Sequence, residues 1–181
     1  MEGKLLITEM STERLMLRKM EAADSSALFA LWSDPQVTRF MNIDPFTSEA
    51  QAKEIIQLFD RLHRNRQAIR YSIFIRETKE LIGSCGFNYV DSENAKAEIA
   101  YDLSRHFWGC GFGSEAVAAL LHQAFYGMGL NRIEAKVDPL NKNSIHLLKK
   151  LNFHFEGTQR QSEKINQQFF DVNMYSKLKW D

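Results

Sequence analysis

The chain has 181 residues, 44% of them hydrophobic, with 23 Lys+Arg against 23 Asp+Glu. That size and hydrophobic share build one globular domain with a full core and exclude a disordered chain. The zero formal charge argues against the broad phosphate footprint of a nucleic-acid binder. Two cysteines, Cys85 and Cys110, make neither a disulfide framework nor a zinc site, and read as the reduced thiols of a cytoplasmic protein.

Taken in chain order, the N-terminal apolar run Leu5-Leu6-Ile7 is too short for a signal-peptide core. No stretch approaches the ~20 apolar residues of a transmembrane helix, so no membrane partner is expected. Leu15-Met16-Leu17-Arg18 predicts a first strand. Asp24 is placed to cap a helix whose Leu28, Leu31 and Trp32 share one face. A loop rich in aromatics and prolines follows, through Asp34-Pro35, Phe40-Met41 and Asp44-Pro45-Phe46. Ser48 and Gln51 form a capping box, and the helix beyond them buries Ile55, Ile56, Phe59 and Leu62. Tyr71–Ile75 and Leu81–Phe87 flank the polar turn Glu77-Thr78-Lys79-Glu80 and predict a hairpin. Glu98–Leu103 is the next strand.

Then comes Trp108-Gly109-Cys110-Gly111-Phe112-Gly113-Ser114-Glu115-Ala116, three alternating glycines before an amphipathic helix. Such a turn aims several backbone N–H groups at one point, and the helix dipole adds partial positive charge there. Glycine permits the backbone conformations and the close approach that a phosphate needs. The spacing excludes a nucleoside-triphosphate P-loop, because no Lys follows the glycines, and it departs from the G-x-G-x-x-G of dinucleotide binders. Ala116, Val117, Leu120, Leu121, Ala124, Phe125 and Met128 recur at helical spacing, and Gly127 and Gly129 can end that helix. Arg132–Val137 alternates as a strand. Asn141 or Asn143 caps a short helix through Leu151, and Asn152 suits a left-handed helix exit. Two strands close the chain, Phe153–Gln161 and Phe169–Leu178, the latter with Phe170, Val172 and Met174 on one face. The order predicts a mixed α/β fold: a largely antiparallel sheet of about seven strands, four flanking helices, and one strand–helix–strand crossover around the glycine turn.

Six segments in this order resemble the GNAT superfamily of acyl-CoA-dependent N-acetyltransferases, and within it the ribosomal-protein N-terminal acetyltransferases of the RimJ/RimL type. They are Thr12–Arg18; Trp32-Ser33-Asp34-Pro35 with Arg39-Phe40; Ala97–Tyr101 with the glycine turn; Asn141-x-x-Ser144 with Leu151-Asn152-Phe153; Gln161-Ser162-Glu163; and Asp171–Tyr175. The resemblance spans nearly the whole chain and implies a single domain over residues 1–181. It implies acetyl-CoA as donor, with Gly109, Cys110, Gly111, Phe112, Gly113 and Ser114 around the CoA pyrophosphate. It also implies that the pantetheine arm pairs as an added strand with the strand ending near Leu103, and that Asn141 contacts pantetheine; Asn141 as a plain helix cap is compatible with this.

Acyl transfer to an amine needs a base, donors for the thioester oxygen, and a proton or water for the departing thiolate. The resemblance offers two bases: Glu163, matching the ribosomal-protein branch, and Glu98, matching histone acetyltransferases. Glu163 fits the closer branch and otherwise reads as an exposed strand residue; Glu98 reads more readily as a sheet ion pair. Ser144 matches the residue that serves the thiolate, as donor or water relay. Leu148 stands where many superfamily members carry an acidic tyrosine, which removes that mechanism at this position. Cys110 and His106 lie in and beside the turn; direct transfer is expected rather than an acyl-cysteine. His122 and His146 read as surface or packing residues, and no metal site is expected. Phe40, Met41, Phe46 and Tyr175 are candidates for an acceptor slot, with core packing the better reading for at least two. The expected activity is acetylation of a protein N-terminal α-amine. A small-amine acceptor, or a CoA-binding regulatory module without catalysis, are the alternatives, and a monomer or homodimer fits equally.

Overall fold

The computed structural model describes residues 6–181, so the apolar run that begins at Leu5 lies partly outside it. The strands are β1 (Glu9–Ser11), β2 (Leu15–Lys19), β3 (Ile69–Ile75), β4 (Leu81–Asp91), β5 (Lys96–Leu103), β6 (Arg132–Val137), β7 (His154–Ile165) and β8 (Gln168–Leu178). Helices α1 (Ser25–Trp32), α2 (Pro35–Thr38) and α3 (Glu49–Arg64) lie between β2 and β3. Helix α4 (Phe112–His122) follows β5, and α5 (Lys142–Lys150) follows β6. The strands form one sheet, ordered β1-β2-β3-β4-β5-β6-β8-β7. Only β5 and β6 run parallel; the other neighbours are antiparallel.

The sheet thus has eight strands where about seven are expected, and five helices where four are expected. The additions are β1, a three-residue strand laid against β2, and α2, a single turn started by Pro35 after the Asp34 cap. Both are too short to show periodicity. Asp24 stands at the N-cap position of α1, but its side chain makes no cap bond there. It closes a 3-10 turn as the partner of Glu21, and its carboxylate is drawn to Arg18 and Ser72. The Ser48–Gln51 capping box starts α3 as expected. Strand β7 runs past Gln161 to Ile165, and a two-residue turn, Asn166-Gln167, joins it to β8. Both turn residues have positive φ (46° and 68°), the twist that tight hairpins require.

Two apolar clusters cover opposite faces of the sheet. One joins Leu17, Tyr71, Phe87 and Ile99 to Leu120 and Val117 of α4 and Leu148 of α5. The other joins Leu28, Leu31 and Trp32 of α1 to Val37, Ala52 and Ile56. Each fully buried Leu or Ile here contributes about 1.5–3 kcal/mol. After His122, helix α4 widens into a π turn over Gln123–Gly127, and Gly129 then leaves it at φ 73°. On β8, Val172 of the Phe170–Val172–Met174 face is buried, and so is Tyr175, which lies opposite the buried Ala135 and packs into the larger cluster. Cys85 is fully buried, which pushes its thiol up and keeps it protonated.

Candidate active site

The sheet opens where β5 and β6 part. Their ladder covers only Lys96–Glu98 against Arg132–Glu134, yet β5 continues to Leu103 and β6 to Val137. Beyond Glu98, the backbone groups of β5 that face β6 have no strand partner. A register shift between Phe87 and Tyr89 in β4 bends the sheet beside this opening. The opening leads into a cleft of about 630 Å3. Leu103, Gly109, Gly111, Gly113, Ser114, Asn141 and Ser144 all line it, seven of the eleven residues singled out in the sequence.

The glycine turn forms one end of that cleft. Gly109 and Gly111 sit at φ 73° and 83°, conformations costly to any residue with a Cβ. Gly111 is the N-cap of α4 and has no side chain to satisfy the first turn. Among the described residues no acceptor meets the N–H groups of Phe112, Gly113 or Ser114, while that of Glu115 reaches Gly111 O at 3.1 Å. Three aligned donors at the positive end of a helix dipole make an anion site. Cys110 is exposed and does not line the cleft; its carbonyl accepts Arg14 Nη1 at 3.0 Å. Phe112 turns its ring inward against Phe107.

The turn is braced from behind by residues about a hundred positions earlier. Glu115 accepts from Thr12, from Arg14 N (2.9 Å) and from Arg14 Nε (2.7 Å). The Arg14 guanidinium also lies over the Phe112 ring, 4.3 Å from its centre. Burial works against the Glu115 charge, but the bonds from Thr12 and Arg14 outweigh it and hold the carboxyl below its usual range. The bracing role of Arg14 was not legible in the sequence.

Midway along the cleft, Asn141 Oδ1 accepts the Ser144 N–H at 3.1 Å, so Asn141 is the N-cap of α5 and its amide N–H2 stays available. The Ser144 hydroxyl stands 2.6 Å from the hydroxyl of Tyr101, which reaches across from β5. Tyr101 also lines the cleft. Burial pushes its phenol up to about 12, and the bond with Ser144 only partly offsets this.

The two candidate bases are not in this cleft. Glu98 is bound to Lys136 Nζ at 3.1 Å, across β5 and β6. Glu163 lines an adjoining polar recess of about 60 Å3 with Arg39, Asn42, Lys136, Asp138 and Asp171. Asn42 Nδ2 approaches its carboxylate to 3.4 Å. Phe40 lines both cavities and is the partition between them. Met41 lines the cleft too, whereas Phe46 packs edge-on against Trp32 and Tyr175 is buried in the core. His146, read as a surface or packing residue, is exposed and lines the cleft from α5.

Beneath the cleft, with Asp102 in its wall, lies a buried polar cluster. Arg70 Nη2 donates to Asp102 Oδ2 (2.9 Å) and to Ser84 Oγ (2.7 Å). Ser84 donates to Asp102 Oδ2 (2.6 Å), and the Trp32 indole donates to Oδ1 (3.2 Å). Burial pushes the Asp102 carboxyl up, against the pull of Arg70, Ser84 and Trp32. Asp102 thereby ties α1, which leads into the Phe40–Met41 segment, to the cleft-forming strand.

These features have counterparts among known proteins. The sequence profile of the acetyltransferase (GNAT) domain matches residues 14–154. The uncharacterized N-acetyltransferase p20 of Bacillus licheniformis is 53% identical over 168 residues, covering 93% of this chain and 94% of its own. The ribosomal-protein-serine acetyltransferase of Escherichia coli (strain K12) is 33% identical over 133 residues, 72% of each chain. A solved structure of the RimL ribosomal L7/L12 alpha-N-protein acetyltransferase, in complex with coenzyme A, superposes at TM-score 0.82 with 29% identity, covering 92% of this chain and 95% of that one. A chain with this fold, this cleft and these relatives belongs to the GNAT family of N-acetyltransferases.

Proposed function

We propose that the protein transfers acetyl directly from acetyl-CoA to a primary amine, with the N-terminal α-amine of a protein as its leading acceptor and the whole chain acting as one domain. The observation that carries the donor is the union, in one cleft, of three free helix N-terminal amides and the unpaired edge of β5. A pyrophosphate suits the first and an amide-bearing pantetheine arm suits the second. A coenzyme A complex of the similar RimL enzyme supports this reading.

In this reading the thioester reaches Ser144, whose hydroxyl faces the departing thiolate. Glu163 takes the amine proton from the acceptor side, directly or through water, with Phe40 at the boundary where amine and thioester meet. An N-terminal amine with its usual pKa of about 7.7–8.0 needs only a modest base. Glu98 is the weaker candidate because Lys136 already engages it. The α-amine acceptor is supported by the similarity to the RimL ribosomal L7/L12 alpha-N-protein acetyltransferase.

Release of CoA thiol from acetyl-CoA, measured against N-terminal peptides, polyamines and aminoglycosides, tests the reading. Activity on peptides is the expected result. Activity confined to small amines would keep the reaction and overturn the acceptor. Bound acetyl-CoA with no turnover on any acceptor would make the chain a CoA-binding module.

A further inference from the structure

Tyr101 and Ser144 come from opposite walls of the cleft, one from β5 and one from α5, and meet hydroxyl to hydroxyl at 2.6 Å. One hydrogen lies between the two oxygens, and its owner decides what Ser144 can do. A phenol is a far stronger acid than an alkanol, and an alkanol oxygen is the better acceptor. The favoured sense is therefore Tyr101 O–H donating to Ser144 Oγ. The phenol stays protonated throughout the neutral range, since burial holds it at about 12. No other hydrogen bond engages either hydroxyl among the described residues. A serine hydroxyl has a single hydrogen. With its oxygen accepting from Tyr101, that hydrogen turns away from the phenol, and the space there is the cleft. Accepting a bond also polarises the Ser144 O–H and makes it a better donor.

We propose that Tyr101 is a positioning residue for the transfer reaction: it donates to Ser144 and so commits the Ser144 hydrogen to the sulfur of the departing CoA. The proposal rests on the reading that Ser144 faces the thiolate. As the tetrahedral adduct collapses, its carbon–sulfur bond breaks and the electron pair goes to sulfur. The Ser144 O–H stabilises that thiolate as a hydrogen bond, and Tyr101 loses no proton. The thiolate is later protonated from solvent, and the amine proton leaves through the base.

The experiment is a titration of the thiol of CoA bound to the enzyme, read by ultraviolet thiolate absorbance against the complex with desulfo-CoA, which cancels tyrosine ionisation. It needs no acceptor. A hydrogen bond to a charged group is worth about 1.5–3 kcal/mol, which converts to roughly one to two pH units. Ser144→Ala should raise the apparent pKa of bound CoA by about that much. Tyr101→Phe should raise it by roughly half as much, and the double variant should match Ser144→Ala alone. Ser144→Thr, which keeps the hydroxyl, should restore most of the wild-type value. CoA affinity and the melting temperature report whether each variant is folded. No shift in Ser144→Ala would overturn the reading of Ser144 itself. A full shift in Ser144→Ala with none in Tyr101→Phe, or additive shifts in the double variant, would overturn the role of Tyr101 alone.

Discussion

Gly111→Val isolates the phosphate turn from the rest of the fold. Gly111 holds φ at 83°, and an added Cβ would meet only Arg14 Nη2, at 3.3 Å. The guanidinium can yield a few tenths of an ångström, so the clash is minor and the backbone conformation carries the effect. A residue forced into a sparsely populated region costs about 1–3 kcal/mol. The turn can keep its shape at that cost, or relax to a negative φ and re-aim the N–H groups of Phe112, Gly113 and Ser114. Relaxation is favoured, since among the described residues the side-chain bond to this part of the turn is the one Arg14 donates from behind to Cys110 O. Hydrogen bonds to a charged acceptor are worth about 1.5–3 kcal/mol each. Two such bonds lost amount to about 3–6 kcal/mol, a weakening of acetyl-CoA binding on the order of a hundredfold to ten-thousandfold. The melting temperature should fall by about 2–12 °C, because about 2–4 °C accompany each kcal/mol in a chain of this size, so the protein stays folded at assay temperature. Calorimetric titration with acetyl-CoA, beside a thermal melt, reads both numbers. Tight binding retained in a folded Gly111→Val protein would refute the assignment of these amides to the pyrophosphate.

Glu163→Gln should lower turnover on the order of ten- to a thousandfold while acetyl-CoA affinity holds; the same loss in Glu98→Gln, with Glu163→Gln active, would reverse the choice of base. Asp102→Asn leaves the Arg70 guanidinium buried without its carboxylate, a loss of about 3–5 kcal/mol and roughly 6–20 °C of melting temperature. A melt within about 2 °C of wild type would show that Arg70 finds compensation elsewhere. Glu156, paired with Arg132 and bonded by Ser176, titrates at about 2 in the folded protein, against an ordinary value near 4.5. Its folded pKa is the lower one, so its contribution is present above the ordinary value and disappears as pH falls toward the folded one. Urea midpoints for wild type and Glu156→Gln should therefore converge between about pH 4.5 and pH 2; parallel curves through that window would mean the pair adds nothing. Its exposed side chain keeps the effect small.

What was legible in the sequence is what neighbours along the chain decide. Three glycines before a periodic helix announced the anion turn, Ser48 with Gln51 announced the start of α3, and Asn152 took the left-handed exit of α5 at φ 59°. Each rests on a few consecutive residues whose own backbone chemistry suffices. Strand β1 was not legible, because Glu9-Met10-Ser11 alternates over too few residues and exists by pairing with β2. Asp24 took the N-cap position of α1, but where its carboxylate bonds was not legible: a buried carboxylate goes where cations and hydroxyls are, and here those are Arg18 and Ser72. The site divides along the same line. Its glycine-turn end is local, and Gly109, Gly111, Gly113 and Ser114 line the cleft as that pattern leads one to expect, whereas Cys110 and Phe112 turn away from it. The rest is made of pairs distant in sequence, Arg14 with Glu115 behind the turn and Tyr101 with Ser144 across the cleft. Both members of each pair stand inside the motifs that carried the resemblance, Thr12–Arg18, Ala97–Tyr101, the glycine turn and Asn141-x-x-Ser144. The motifs are therefore halves of contacts rather than independent marks. Disturbing Arg14 should reach the phosphate turn through Glu115, and disturbing Tyr101 should reach the thiolate through Ser144. Coupling of that kind appears as non-additive double variants, and no single-residue reading of the sequence contains it.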